Sequence, residues 1–280
     1  MIRNEMLTCL KEAFPNVEFA SGEIDKFFKA ISLMNPGGSL YAEREKKAYE
    51  TIHFSIHVVK SINRLSRKRE IALLDCGCGR SYLSFLVNHV LKKMDRRVTY
   101  IGVDNNAQLV ERSMMVRDEL GYGEMHFIKS NIIDFNPERN VDIVCALHAC
   151  DTATDEAIAK GVELGARYVI VAPCCQRQVI RQLGMASKKI WQLKPLLDEK
   201  VAREYVGVVL TESLRKLALE SFGYEVEMFE FTPARYTPKN IMLRAEKKGS
   251  WNEKGYEDYK ALRNYFGVKP KIEEYLAQLT

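Results

Sequence analysis

The stretch Asp75-Cys76-Gly77-Cys78-Gly79-Arg80-Ser81 decides how this 280-residue chain is read. It follows a short apolar run, Ile71-Ala72-Leu73-Leu74, and precedes a segment over 81–93 with helical character. A strand-to-helix turn of this kind faces the ligand crevice of an open α/β sheet. Glycines there let the backbone approach a ligand, and the helix N-terminus offers unpaired N–H groups. The same pair of glycines also suits a merely tight connection, so the neighbouring residues have to choose. Asp75, before the glycines, repels a diphosphate and attracts an amino group. Gly102-Val103-Asp104-Asn105 ends the next apolar run, where Asp104 is placed to accept both hydroxyls of a ribose.

Working outward, short apolar runs over 98–103, 125–128, 141–147 and 168–172 alternate with helical stretches over 107–120 and 152–164. Such alternation predicts a parallel sheet with crossover helices. An acid for an amino group and an acid for a ribose describe S-adenosylmethionine better than a dinucleotide. Asn131, after the third run, is a candidate partner for an adenine edge or simply a turn residue, and Ile132 a candidate for its face. Residues 225–231 and 240–245 read as two strands joined by a link suited to an antiparallel pair. A long helix is expected over about 40–65. Another is expected over 211–222, with Thr211 as a possible N-cap.

On these residues, the segment from about 70 to 245 resembles a class I S-adenosylmethionine-dependent methyltransferase. Asp75-x-Gly77-x-Gly79 matches the family's first motif, Asp104 its ribose-binding acid, and the final strand pair its sheet edge; Ser81 replaces the usual third glycine. The resemblance implies an α/β, Rossmann-like seven-stranded sheet of order 3-2-1-4-5-7-6 with strand 7 antiparallel. It also implies a cofactor site across Asp75, Cys76, Gly77, Gly79, Asp104, Asn105, Asn131, Ile132 and Leu147.

In that fold the reacting atoms lie beyond strands four and five. Here those ends read Leu147-His148-Ala149-Cys150-Asp151 and Pro173-Cys174-Cys175-Gln176. This pairing resembles a subgroup with Leu-His-x-Cys and Cys-Cys segments, which includes acceptor-stem tRNA 2′-O-methyltransferases and methyltransferase-like proteins. No Cys/His zinc-finger module of the kind those tRNA enzymes carry near the N-terminus is present in the sequence. His148 is the natural candidate for general acid or base, or else a histidine bonded for structure. Asp151 and Asp155 read as helix-capping or loop-orienting acids. Cys150, Cys174 and Cys175 admit three readings: buried small hydrophobes, a nucleophile toward a pyrimidine ring, or, with His148, a metal site whose spacing matches no standard zinc motif. The catalytic candidates are therefore His148, Cys150, Cys174 and Cys175, and no metal is assigned.

Hydrophobic residues at 46% and charged residues at 28% exclude a disordered chain. No apolar run is long enough for a membrane span, and the first residues lack the apolar core of a secretory signal. Seven cysteines, an odd number spread thinly, suit a reducing cytoplasm better than a disulfide framework. The net charge of +5 is concentrated. Seven basic residues between Arg177 and Arg203 stand against Asp198 and Glu199, so the rest of the chain sums to zero. This segment falls in an expected helical insertion over about 174–210, with Trp191 and several glutamines interleaved. Arg177, Arg181, Lys188 and Lys189, together with Arg235 and Lys239 on the last turn, are candidate substrate contacts, and RNA is the candidate partner. A solvated helical face, or a lid over a small molecule, fits the same residues, and Tyr41, Arg44 and Lys47 on the N-terminal helix are candidates to cover the same opening. A binding protein that keeps the fold without catalysis is a further alternative. The expected organisation is a helical extension over 1–68, a methyltransferase domain over 69–248 and a helical tail over 249–280. The number of copies in the functional assembly is not legible.

Overall fold

The computed structural model describes residues 2–39, 42–149, 152–186 and 190–277. Tyr41, Cys150, Asp151, Lys188 and Lys189 lie outside the described residues. Three helices come first: α1 (Ile2–Ala13), α2 (Ser21–Ala30) and α3 (Ala42–Arg64). Ile24, Phe27, Phe28 and Ile31 are buried together, as their helical spacing requires. The βα units follow as β1 (Ile71–Cys76), α4 (Tyr82–Lys93), β2 (Val98–Asp104), α5 (Ala107–Leu120), β3 (Met125–Lys129), β4 (Ile143–Leu147), α6 (Thr152–Glu163) and β5 (Tyr168–Ala172). After β5 the chain forms α7 (Arg177–Ala186), one 3-10 turn (Trp191–Leu193), α8 (Lys194–Asp198) and α9 (Lys200–Ser221). The strand pair β6 (Tyr224–Glu230) and β7 (Ile241–Lys247) completes the sheet, and α10 (Glu253–Phe266) and α11 (Ile272–Leu276) form the tail.

The sheet order is β3-β2-β1-β4-β5-β7-β6, with β7 antiparallel to both of its neighbours. This is the expected seven-stranded arrangement. β1 and β5 are buried at every position because helices cover both faces. From β1 the chain winds first to β2 and β3 on one side, then crosses to β4 on the other. That reversal leaves a crevice at the carboxyl ends of the central strands. No helix among the described residues is long and apolar enough to cross a membrane.

Two local expectations are corrected. Thr211 is not an N-cap: α9 begins eleven residues earlier in the chain, at Lys200, and the Thr211 hydroxyl donates to the Gly207 carbonyl one turn back, at 2.6 Å. The helix runs through Gly207 because α7 packs against it there. A Cβ on Gly207 would sit 2.3 Å from Ile180 Cγ1, so only glycine allows the approach. Asp155, in the first turn of α6, is not only the capping or loop-orienting acid expected. It is 4% exposed and accepts from the Arg215 Nε at 2.7 Å. Arg215, 1% exposed, also donates to Glu212 Oε1 at 2.9 Å, and Gln176 Nε2 donates to the same oxygen at 2.9 Å. This buried network joins α6, α9 and the loop after β5.

Candidate active site

The glycine turn is built by backbone bonds to β2. The N–H groups of Gly77 and Cys78 both donate to the Val103 carbonyl, at 2.8 and 3.0 Å. Gly77 and Gly79 have φ of 68° and 55°, the left-handed region. Ser81 has φ 58°, so it takes the backbone form usual for the glycine it replaces. Its hydroxyl is 3.0 Å from that of Ser113 on α5, a bond that glycine could not make.

The turn borders a cavity of about 500 Å³ at the carboxyl ends of β1, β2 and β4. Gly77, Asp104, Asn105, Asn131, Ile132 and His148 all line it, so residues 71 positions apart in sequence meet in one cleft. Asp104 Oδ2 accepts the Gly79 N–H at 2.8 Å and Oδ1 the Asn106 N–H at 2.9 Å. Each oxygen retains a second lone pair, so the carboxylate is oriented and can still accept from two hydroxyls. A Cβ at Gly77 would stand 3.6 Å from the Ala149 Cβ and narrow the cleft. The donor set and volume fit an adenosyl ligand with its ribose on Asp104 and its base beside Ile132. Asn131 donates to Asp134 at 2.8 Å, a turn bond that leaves its carbonyl oxygen for a ligand.

Asp75, Cys76 and Leu147 contribute differently from the sequence expectation. Asp75 is 2% exposed and its Oδ2 accepts from Ser84 at 2.7 Å. Burial pushes its carboxyl up to about 6, with the Ser84 bond pulling the other way. Cys76 is wholly buried in the core at the end of β1, and burial raises its thiol well above the ordinary range. Its side chain is therefore a core hydrophobe, and only its backbone remains for a ligand. Leu147 packs against the core beneath the β4 loop.

The acceptor side contains residues that the sequence does not mark as catalytic. His148 donates its backbone N–H to the Ala172 carbonyl at 3.0 Å and adopts φ 63°, rare for a residue with a side chain. Its Nε2 lies 2.7 Å from Glu50 Oε2 on α3. Lys47, one turn earlier on the same helix, places its Nζ 3.5 Å from that carboxylate. Burial alone would raise the Glu50 carboxyl. The bonds and charges of His148, Lys47 and Thr237 outweigh it, and the net direction is down. Burial lowers the Lys47 ammonium, against the pull of Glu50, Cys174 and Asp75. The link between β6 and β7 holds α3 in place: Tyr49 stacks on Tyr236 with ring centroids 4.3 Å apart, and His53 Nδ1 is 2.7 Å from the Thr232 hydroxyl.

Cys174 and Cys175 are half-buried, with their sulfurs 3.7 Å apart, and the Cys174 thiol points to the His148 carbonyl at 3.8 Å. Among the described residues no group of three His, Cys, Asp or Glu side chains can hold a metal; Cys150 lies outside them. Arg177, Arg181, Arg235 and Lys239 are exposed, as are Lys194 and Lys200. Three of the interleaved glutamines are engaged within the protein. Gln176 donates to Glu212, Gln178 accepts from the Lys271 N–H at 2.8 Å, and Gln182 exchanges two bonds with the Lys269 backbone at 2.5 and 2.9 Å. Arg203 likewise donates to the Leu197 carbonyl at 2.6 Å. These side chains anchor the segment and are not offered to a ligand.

Residues 46–182 match a family described as a methyltransferase domain. A Homo sapiens protein named glutathione S-transferase C-terminal domain-containing protein is 25% identical over 226 residues, covering 74% of this chain and 34% of that protein. The Mus musculus protein of the same name is 25% identical over 193 residues, covering 61% and 29%. The chain spans about a third of the length of the curated relatives it matches. Among solved structures, magnesium protoporphyrin IX methyltransferase from Synechocystis PCC 6803 with bound S-adenosylmethionine superposes with TM-score 0.50 at 13% identity, covering 80% of this chain and 95% of that one. The same enzyme with bound S-adenosylhomocysteine superposes with TM-score 0.50 at 15% identity, covering 82% and 100%. At such identities the likeness is one of fold. The sheet order and these superpositions show the fold of the S-adenosylmethionine-bound methyltransferases, and residues 46–182 match the methyltransferase domain family.

Proposed function

We propose that the chain transfers a methyl group from S-adenosylmethionine to RNA. The observation that carries the reading is the single cleft in which Asp104, the glycine turn and His148 meet. Asp104 would hold the ribose, Ile132 and Asn131 the adenine, and the turn backbone the remainder of the donor. The bound donor supplies an electrophilic methyl sulfonium. The protein contributes chiefly by holding an acceptor in line with it, since orientation alone can supply several kcal/mol.

RNA is supported by the surface after β5. Arg177, Arg181, Lys194 and Lys200 are exposed, and so, in the same stretch of chain, are Trp191 and Tyr205, each of which is 74% exposed. Cations for phosphates next to open aromatic faces for bases is the pattern of single-strand recognition. Arg235 and Lys239 on the β6–β7 link are exposed cations as well. The resemblance of the His148 and Cys174-Cys175 loops to the subgroup that includes tRNA 2′-O-methyltransferases supports the same substrate. The clamps from Gln178 and Gln182 to the tail favour an anchored platform over a lid for a small molecule. We place the protein in the cytoplasm, since seven cysteines, an odd number spread thinly, suit a reducing compartment better than a disulfide framework. We divide it at 1–68, 69–248 and 249–280, with α3 of the first segment completing the site of the second.

Incubation of the purified chain with labelled S-adenosylmethionine and total cellular RNA, followed by nucleoside analysis, tests the reading. Label is expected in one RNA nucleoside. Asp104→Ala is expected to weaken donor binding by tenfold or more in calorimetry and to abolish the labelling, because hydrogen bonds to a charged group contribute about 1.5–3 kcal/mol. Label that enters only the protein or small-molecule fraction would overturn the RNA assignment.

A further inference from the structure

His148 connects two environments. The residue lines the donor cavity, and its Nε2 is 2.7 Å from the Glu50 carboxylate of α3. The backbone holds it at φ 63°, a conformation that costs a non-glycine residue on the order of 1 kcal/mol. Glu50 is 7% exposed, and the Thr237 hydroxyl donates to it from the β6–β7 link. Three separate parts of the chain thus converge on one imidazole. An ionised carboxylate only accepts hydrogen bonds, so Nε2 carries the ring proton and Nδ1 is the basic nitrogen.

Building on the methyltransferase reading, we propose that Glu50 is the positioning residue of a Glu50–His148 dyad, and that the site takes an acceptor whose attacking atom bears a proton, a hydroxyl or an N–H. A carboxylate or thiolate acceptor is already an anion. It has no proton to lose and gains nothing from a strained histidine backed by a buried acid. With a hydroxyl or N–H, His148 Nδ1 takes the proton as the acceptor's lone pair forms the bond to the methyl carbon, while the carbon–sulfur pair stays on sulfur. The positive charge that leaves the sulfonium arrives on the imidazolium, against Glu50. Glu50 also keeps the ring in the tautomer that presents Nδ1.

The other charges around the ring come from every side. Lys47 on α3 offsets part of the Glu50 charge. Asp104 and Glu156 line the same cavity and add negative charge. Cys174 bonds to the His148 carbonyl, and Asp75 on β1 acts through Lys47. Glu50 is the group among these in direct contact with the ring nitrogen, so its removal is the decisive change.

The experiment is nuclear magnetic resonance of the full chain with isotope-labelled histidine, as wild type and as Glu50→Gln, read for the ring tautomer of His148. His148 is assigned through His148→Asn. The wild-type ring is expected to be protonated on Nε2 when neutral. In Glu50→Gln, whose amide can donate as well as accept, both tautomers are expected. Calorimetry with S-adenosylmethionine should give the same affinity for Glu50→Gln within about twofold, which shows that the variant is folded and that Glu50 serves the acceptor side. With labelled RNA, the rate of Glu50→Gln should fall at least about tenfold. A wild-type ring protonated on Nδ1, or the same tautomer ratio in the two proteins, overturns the dyad. If the wild type binds no donor, the methyltransferase reading fails separately, and the tautomer still decides whether Glu50 positions His148.

Discussion

Ser81 and Asp75 show how the donor turn departs from its sequence pattern and still works. Serine at a glycine position is a departure only if the backbone there needs no side chain. Here φ is 58° and the hydroxyl reaches Ser113 on α5, so the strain is matched by a bond that ties the turn to a second helix. Asp75 faces the opposite problem, an acid placed in the interior. Its ordinary value is 3.8 and burial pushes it up to about 6. Below 3.8 the group is protonated in both folded and unfolded chains and costs nothing. As pH rises from there, the unfolded chain ionises first and stability falls; above about 6 the loss is complete. The accumulated cost is about 3 kcal/mol at roughly 1.4 kcal/mol per pH interval. Asp75→Asn is therefore expected to match the wild type near pH 4 and to exceed its unfolding free energy by about that amount at pH 7. Denaturant titrations at pH 4, 5, 6 and 7 read the gap directly, and a gap independent of pH would show that the carboxyl is not held above its ordinary range.

Elements are joined by polar contacts as much as by the sheet, and these contacts explain what is and is not legible in the sequence. The strands and the Asp104 site are legible because each strand end carries its own chemistry locally: glycines after β1, an acid after β2. Glu50 and Lys47 do not stand out as a catalytic pair because Lys-x-x-Glu in a charged helix resembles an ordinary surface pair. Their role depends on α3 being laid over β4, a contact between residues 98 positions apart in sequence. Asp155 reads as a cap for a similar reason. An acid in the first turn of a helix suits the macrodipole, and its partner Arg215 lies 60 residues further along. The start of α9 is obscured because Gly207 and the valines beside it are weak helix formers. Contact with Ile180 overrides that preference. The Arg215 network gives a prediction at this scale. Arg215→Met leaves Asp155 and Glu212 buried without their cation, and should cost about 3–5 kcal/mol of unfolding free energy. Adding Asp155→Asn and Glu212→Gln should recover a large part of it. Chemical denaturation of the single and triple variants checks this, and a triple variant no more stable than the single would place the loss in packing instead of charge.

Across the whole molecule, charge and apolar exposure are uneven in the same region. Val201, Tyr205 and Val209 are 66%, 74% and 55% exposed. They stand four residues apart along α9, so they share one face. Trp191 and Leu196 are 74% and 49% exposed just before it. The face combines side chains that water does not favour with a local excess of cations. A partner that neutralises the charge and covers the rings satisfies both, and a single-stranded nucleic acid does so with phosphates and bases respectively. The two contributions separate in a salt series. Replacing Arg177, Arg181, Lys194 and Lys200 by serine should weaken RNA binding uniformly across sequences. It should also reduce the slope of log K against log salt by about 3, at roughly 0.7 for each single-strand phosphate that is no longer neutralised. Trp191→Ala should weaken binding by about 1–3 kcal/mol with the slope unchanged, because stacking releases no counterions. Serine at Lys26, Lys29, Lys60 and Lys254, all exposed elsewhere on the surface, makes the same change in net charge. That variant separates a local contact surface from general electrostatic attraction. If both fourfold variants lower the slope equally, the cations after β5 act only through net charge and the platform is not the RNA site.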